Sequence, residues 1–79
     1  MERTEITKQV INIIADQLGL TTNEIKEESH LRNDLGADSI DEVEITMALE
    51  KEFGINISDE EIDKMITAKD ITDIIQSKL

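Results

Sequence analysis

Aliphatic residues recur at helical spacing through most of this chain, and no proline interrupts them. Ile6, Val10, Ile13, Ile14 and Leu18 fall on one stripe of a helix predicted over residues 4–18, with Thr4 or Thr7 as N-cap and Gly19 as a C-terminal stop. Ile11 lies off that stripe. A second helix is predicted over residues 39–53, ahead of Gly54, and it carries two apolar stripes. At about 100° per residue, Ile45, Leu49 and Phe53 fall together, and Ile40, Val43 and Met47 lie roughly 160° away. One stripe suffices for a core. The other is either covered by a neighbouring segment or left for a partner, and with Glu44 and Glu50 beside it the second outcome is the expectation.

Residues 20–38 show no sustained period. They are expected to form a long loop, with a short turn near Thr22 and Ile25 and with Leu31 and Leu35 as anchors to the core. His30, inside this loop, reads as a surface or loop-packing residue. After the Ile55-Asn56-Ile57 linker, Ser58 and Glu61 have the spacing of a capping box for a short helix near residues 59–64. Thr67 and Asp70 repeat that spacing before a last helix carrying Ile71, Ile74 and Ile75 on one face. The fold class that follows is all-α, a small four-helix bundle with three longer helices and one short. The 79 residues are expected to form a single domain that buries roughly 60–65% of the unfolded chain's surface. With Phe53 the only aromatic residue, its core must be aliphatic.

Composition removes several functions. Without cysteine there is no thiolate catalysis, disulfide or cysteine-based metal site, so thiol chemistry has to be imported. Gly19, Gly36 and Gly54 are too far apart to build a P-loop or a dinucleotide fingerprint. The regular ladder of an EF-hand is missing, and no dedicated metal site is expected. Neither a signal peptide nor a membrane-spanning run is recognisable, so a cytoplasmic location is expected. The net charge is −11, and residues 34–63 hold eleven acids against one base, Lys51. Such a field disfavours nucleic acid and anionic membranes and suits basic protein partners.

Ser39 is the candidate functional residue, in the stretch Asp34-Leu35-Gly36-Ala37-Asp38-Ser39-Ile40-Asp41-Glu42-Val43-Glu44. Neighbouring Asp38 and Asp41 oppose deprotonation, and no histidine lies nearby in sequence, so this serine suits modification better than nucleophilic catalysis. A purely structural reading stays open, because Ser39 and Glu42 have capping-box spacing, as do Asp38 and Asp41.

The stretch resembles the prosthetic-group attachment site of acyl carrier proteins, with Ile40 where leucine is usual. The resemblance covers essentially the whole chain: Gln17-Leu18-Gly19, the site itself, the run from Val43-Glu44 through Met47-Ala48-Leu49-Glu50 to Glu52-Phe53-Gly54, and Ile57-Ser58-Asp59-Glu60-Glu61. Further departures are Thr46 at a commonly aliphatic position, Lys51 at a commonly acidic one, and Ser58 where proline often starts the short helix. The resemblance implies a carrier that is not itself an enzyme, with 4′-phosphopantetheine attached covalently to Ser39 and Asp38 in a capping or positioning role. It implies loading by a phosphopantetheinyl transferase (holo-acyl-carrier-protein synthase) and transport of growing acyl chains as thioesters between fatty acid synthase-type enzymes with basic docking patches. Ile40, Asp41, Val43, Glu44, Met47 and Glu50 are the expected partner face, and a monomer is the expected state. Alternatives are a carrier for polyketide, lipid-modifying or aminoacyl chemistry, and an acidic adaptor without a prosthetic group.

Overall fold

The computed structural model describes residues 1–79. It contains four helices: α1 (Arg3–Leu18), α2 (Ser39–Phe53), α3 (Asp59–Asp63) and α4 (Ala68–Lys78), with one 3-10 turn at Thr22–Glu24 in the α1–α2 loop. The all-α bundle of three longer helices and one short helix is therefore observed.

Helix α1 packs against both α2 and α4. Its fully buried Ile6, Val10 and Ile14 meet Ile45 and Leu49 of α2 and Ile71 and Ile75 of α4 in one aliphatic core, which Leu31 and Met65 complete from the connections. Fully burying a side chain of this size contributes about 1.5–3 kcal/mol. Ile13, Leu18, Phe53 and the off-stripe Ile11 are half-buried around this centre. Thr46 and Thr72 enter the core as well, because each hydroxyl donates to the carbonyl one turn back, Glu42 at 2.8 Å and Ala68 at 3.1 Å.

Three helix starts follow the capping-box spacings: Asp38 with Asp41, Ser58 with Glu61, and Thr67 with Asp70. Two expectations need correction. Helix α1 begins at Arg3 behind Glu2, which makes no side-chain cap, so neither Thr4 nor Thr7 is the N-cap. Of the two overlapping boxes at α2, the Ser39/Glu42 one does not form; Ser39 is the first helical residue and the Asp38 carboxylate accepts the Asp41 N–H at 2.9 Å.

The long loop is pinned by contacts distant in sequence. Leu31 is fully buried and its N–H donates to the Ile66 carbonyl at 2.9 Å, beside an isolated antiparallel bridge between His30 and Thr67. The Lys69 N–H donates to the Glu27 carbonyl at 2.8 Å. His30 organises the next turn: its Nδ1 accepts the Asn33 N–H at 3.1 Å, and its own N–H donates to Asp34 Oδ2 at 2.8 Å. The loop then closes with the Ala37 N–H donating to the Leu31 carbonyl at 2.9 Å, after Gly36 at a φ of 75°. Through these bonds the core holds the segment that delivers Ser39.

Candidate functional site

Ser39 is exposed at the first position of α2. Four backbone N–H groups open any α-helix without an intrahelical acceptor. Counted from the Asp38 cap, these are the N–H groups of Asp38, Ser39, Ile40 and Asp41; the Asp38 side chain accepts from Asp41 at 2.9 Å, and the Asp38 carbonyl takes the first intrahelical bond, from Glu42 at 3.0 Å. The N–H groups of Ser39 and Ile40 make no hydrogen bond within the protein. The Asp41 carboxylate returns the capping bond to the Asp38 N–H at 3.1 Å. Asp38 thus fixes the serine at the mouth of the helix, and two free donors point where an anion on Ser39 is stabilised.

The third partner was not read from the sequence. Arg32, from the pinned loop, donates from Nε and Nη2 to the two Glu42 oxygens at 3.0 and 2.9 Å, a forked pair. The same Nη2 lies 3.4 Å from Ser39 Oγ. The hydrogen bond to Glu42, reinforced by the charges of Glu42 and Asp38, holds the Arg32 guanidinium above its ordinary pKa, so it is a permanent cation. The one sequence signal for it was a base just outside an acid-rich run; its meeting with Glu42, ten residues on, depends on the loop's path.

The partner-face residues divide. Ile40, Val43 and Met47 are 68%, 52% and 62% exposed, an apolar stripe open to solvent along the outer side of α2. Glu44 is exposed beside it, and its carboxylate accepts from Gln17 Nε2 of α1 at 2.6 Å. Asp41 and Glu50 are half-buried and have tasks within the fold. Asp41 caps, and Glu50 accepts the Ile57 N–H at 2.8 Å. The open part of the predicted face is therefore the apolar stripe with Glu44. Next to the Arg32–Glu42 pair, Ile62, Asp63, Met65 and Ile66 line a cleft of about 290 Å³ between α2 and α3.

No group of three histidine, cysteine or acidic side chains is arranged to hold a metal ion. No helix is long and apolar enough to cross a membrane.

A helical bundle that holds one exposed serine at a helix start, with free backbone donors and a cation beside the hydroxyl, has the form of a carrier domain modified by an anionic group. Comparison with known proteins gives the family. The phosphopantetheine attachment site family matches residues 8–75. An acyl carrier protein of Thermosynechococcus vestitus is 44% identical over 79 residues, covering 100% of this chain and 98% of the relative. A solved structure of the acyl carrier protein from Enterococcus faecalis superposes with a TM-score of 0.82 at 34% identity, covering 100% of both chains. The chain belongs to the phosphopantetheine-attachment family of acyl carrier proteins, and phosphopantetheine is its prosthetic group.

Proposed function

We propose that Ser39 is the attachment point and that the chain is a single carrier domain, not itself an enzyme, serving fatty acid biosynthesis. The observation that carries this reading is the exposed Ser39 hydroxyl beside two unclaimed N–H groups and the Arg32 guanidinium. These residues fit a phosphodiester, which needs an accessible oxygen for its bond and donors for its charge. The prosthetic group supplies the thiol that this cysteine-free chain lacks, on which acyl chains are held as thioesters.

The protein's own residues position the hydroxyl and leave its activation to a partner. Ser39 Oγ faces an arginine, the Asp38 carboxylate is engaged in its cap, and His30 Nδ1 accepts a loop N–H. A phosphopantetheinyl transferase must therefore bring the base that takes the Ser39 proton as the oxygen bonds to the pantetheine-bearing phosphorus of coenzyme A, breaking the diphosphate bond and releasing adenosine 3′,5′-bisphosphate. The stripe of Ile40, Val43 and Met47, with Glu44, suits partners that combine an apolar contact with basic residues. The cleft lined by Ile62, Met65 and Ile66 offers aliphatic shelter to a cargo carried beside it. A monomer working in the cytoplasm completes the reading.

Intact-mass measurement after incubation with coenzyme A and a transferase of broad specificity tests it. The wild type should gain one phosphopantetheine and Ser39→Ala none, with both remaining helical by circular dichroism. Equal mass gain in the variant would refute attachment at Ser39.

A further inference from the structure

The Arg32–Glu42 pair does more than tie the loop to α2. Arg32 reaches both groups through one nitrogen that carries two hydrogens: Nη2 donates at 2.9 Å to the Glu42 carboxylate and lies 3.4 Å from the serine hydroxyl. A neutral hydroxyl at that distance is a weak acceptor. An anionic oxygen in the same place forms a charge-assisted bond of roughly twice the strength. The guanidinium has donors to spare, since Nη1 makes no hydrogen bond within the protein and the Arg32 side chain remains 54% exposed.

The need for a cation here is acute. A phosphodiester on Ser39 adds a negative charge next to Asp38, Asp41 and Glu42. Lys51, the one base among residues 34–63, lies twelve residues along α2, about 18 Å from Ser39 at the helical rise. Arg32 is the cation in contact. Its fork with Glu42, whose side chain is only 16% exposed, holds the guanidinium at the serine before any phosphate is present.

We propose that Arg32 is the phosphate-binding side chain of the modified protein, keeping Glu42 as its anchor and taking the phosphodiester on Ser39 as a second anion. Glu42 is then a positioning residue that acts through Arg32. The assignment rests on Ser39 as the attachment point. Because Arg32 also lines the cleft beside α3, the anchored phosphate and the apolar opening share one residue.

Nuclear magnetic resonance of the modified protein tests this independently of any enzyme assay. The chain has two arginines, and Arg3 is held elsewhere by Asp73 at 2.8 Å, so its side chain serves as an internal reference. Conversion to the phosphopantetheine form should move the Arg32 Nε–H resonance and leave that of Arg3 in place. The phosphorus-31 resonance should be displaced in Arg32→Ala, and in Arg32→Lys by less, since lysine keeps the charge and loses the fork. Glu42→Gln should move the Arg32 signal in the unmodified protein and weaken its response to loading. Full mass gain with an unmoved Arg32 signal, or with phosphorus spectra that superimpose for wild type and Arg32→Ala, would overturn the proposal alone. Absence of mass gain on the wild type would overturn attachment at Ser39 and this inference with it.

Discussion

On the inner side of α2, Ile45, Thr46 and Leu49 are sealed into the core; on the outer side, Ile40, Val43 and Met47 stand in solvent. Both sides carry aliphatic residues at helical spacing. What separates them is that α1 packs on one and no segment of the chain covers the other. The inner side therefore carries stability and the outer side is free to carry recognition. The acids divide in the same way: Asp38, Asp41 and Glu50 satisfy backbone N–H groups, while the Glu44 carboxylate reaches only the Gln17 side chain and stays at the surface.

The sharpest break of this comparison is Leu49→Ala. Leu49 is fully buried, and its truncation should cost about 2–5 kcal/mol. That is a large part of the roughly 4–12 kcal/mol expected for a chain of this length. Urea unfolding reads it directly; a loss below 1 kcal/mol would show that the inner stripe is not the core.

Asp38→Ala should come next, at about 0.5–2 kcal/mol for the lost N-cap, with slower loading because Ser39 is no longer held at the first position. Ser39→Ala should cost less than Asp38→Ala, since Ser39 is not the cap. The reverse order in thermal melts would return the capping role to the serine.

A smaller effect is expected in acid. Glu61 is held below the ordinary carboxylate range, chiefly by the Ser58 backbone N–H and then by Lys78, whose Nζ lies 2.9 Å away. A carboxyl lowered in the folded state stabilises it above the unfolded-state value and loses that contribution as pH falls through the lowered one. Glu61→Gln should therefore melt below the wild type at neutral pH and converge with it in acid. A constant gap across the series would mean that the ion pair and its cap are not the source.

The smallest change in stability should come from Met47→Ser, within about 0.5 kcal/mol, although loading by a transferase should slow. Stability loss comparable to that of Leu49→Ala would place the outer stripe in the core after all. Unchanged loading would remove it from the docking face.

The starts of α2, α3 and α4 were legible because each is specified within four residues by a side chain that accepts and one that returns the bond. The start of α1 was not, because Glu2 provides no side-chain cap and the threonines that suggested one lie inside the helix. Periodicity placed both stripes of α2 but not their fates, which depend on what packs against them. The loop between α1 and α2 hid the most. Its order comes from partners such as Ile66, Thr67 and Lys69, more than thirty residues away, and no local pattern records them. Ser39 was visible as a motif, whereas Arg32 at its side became visible only once the loop had a path.

Capping residues written so close to the helices they start also bear on how fast the chain finds its fold. Each of these helices carries its own register before any distant contact forms, so the costly first turn is favoured locally. Helical bundles with such local information fold in microseconds to milliseconds. The chain contains no proline, so refolding from denaturant should lack the slow phase, tens of seconds long, that prolyl isomerisation imposes. A bundle built this way should re-form quickly after any partial opening of its core.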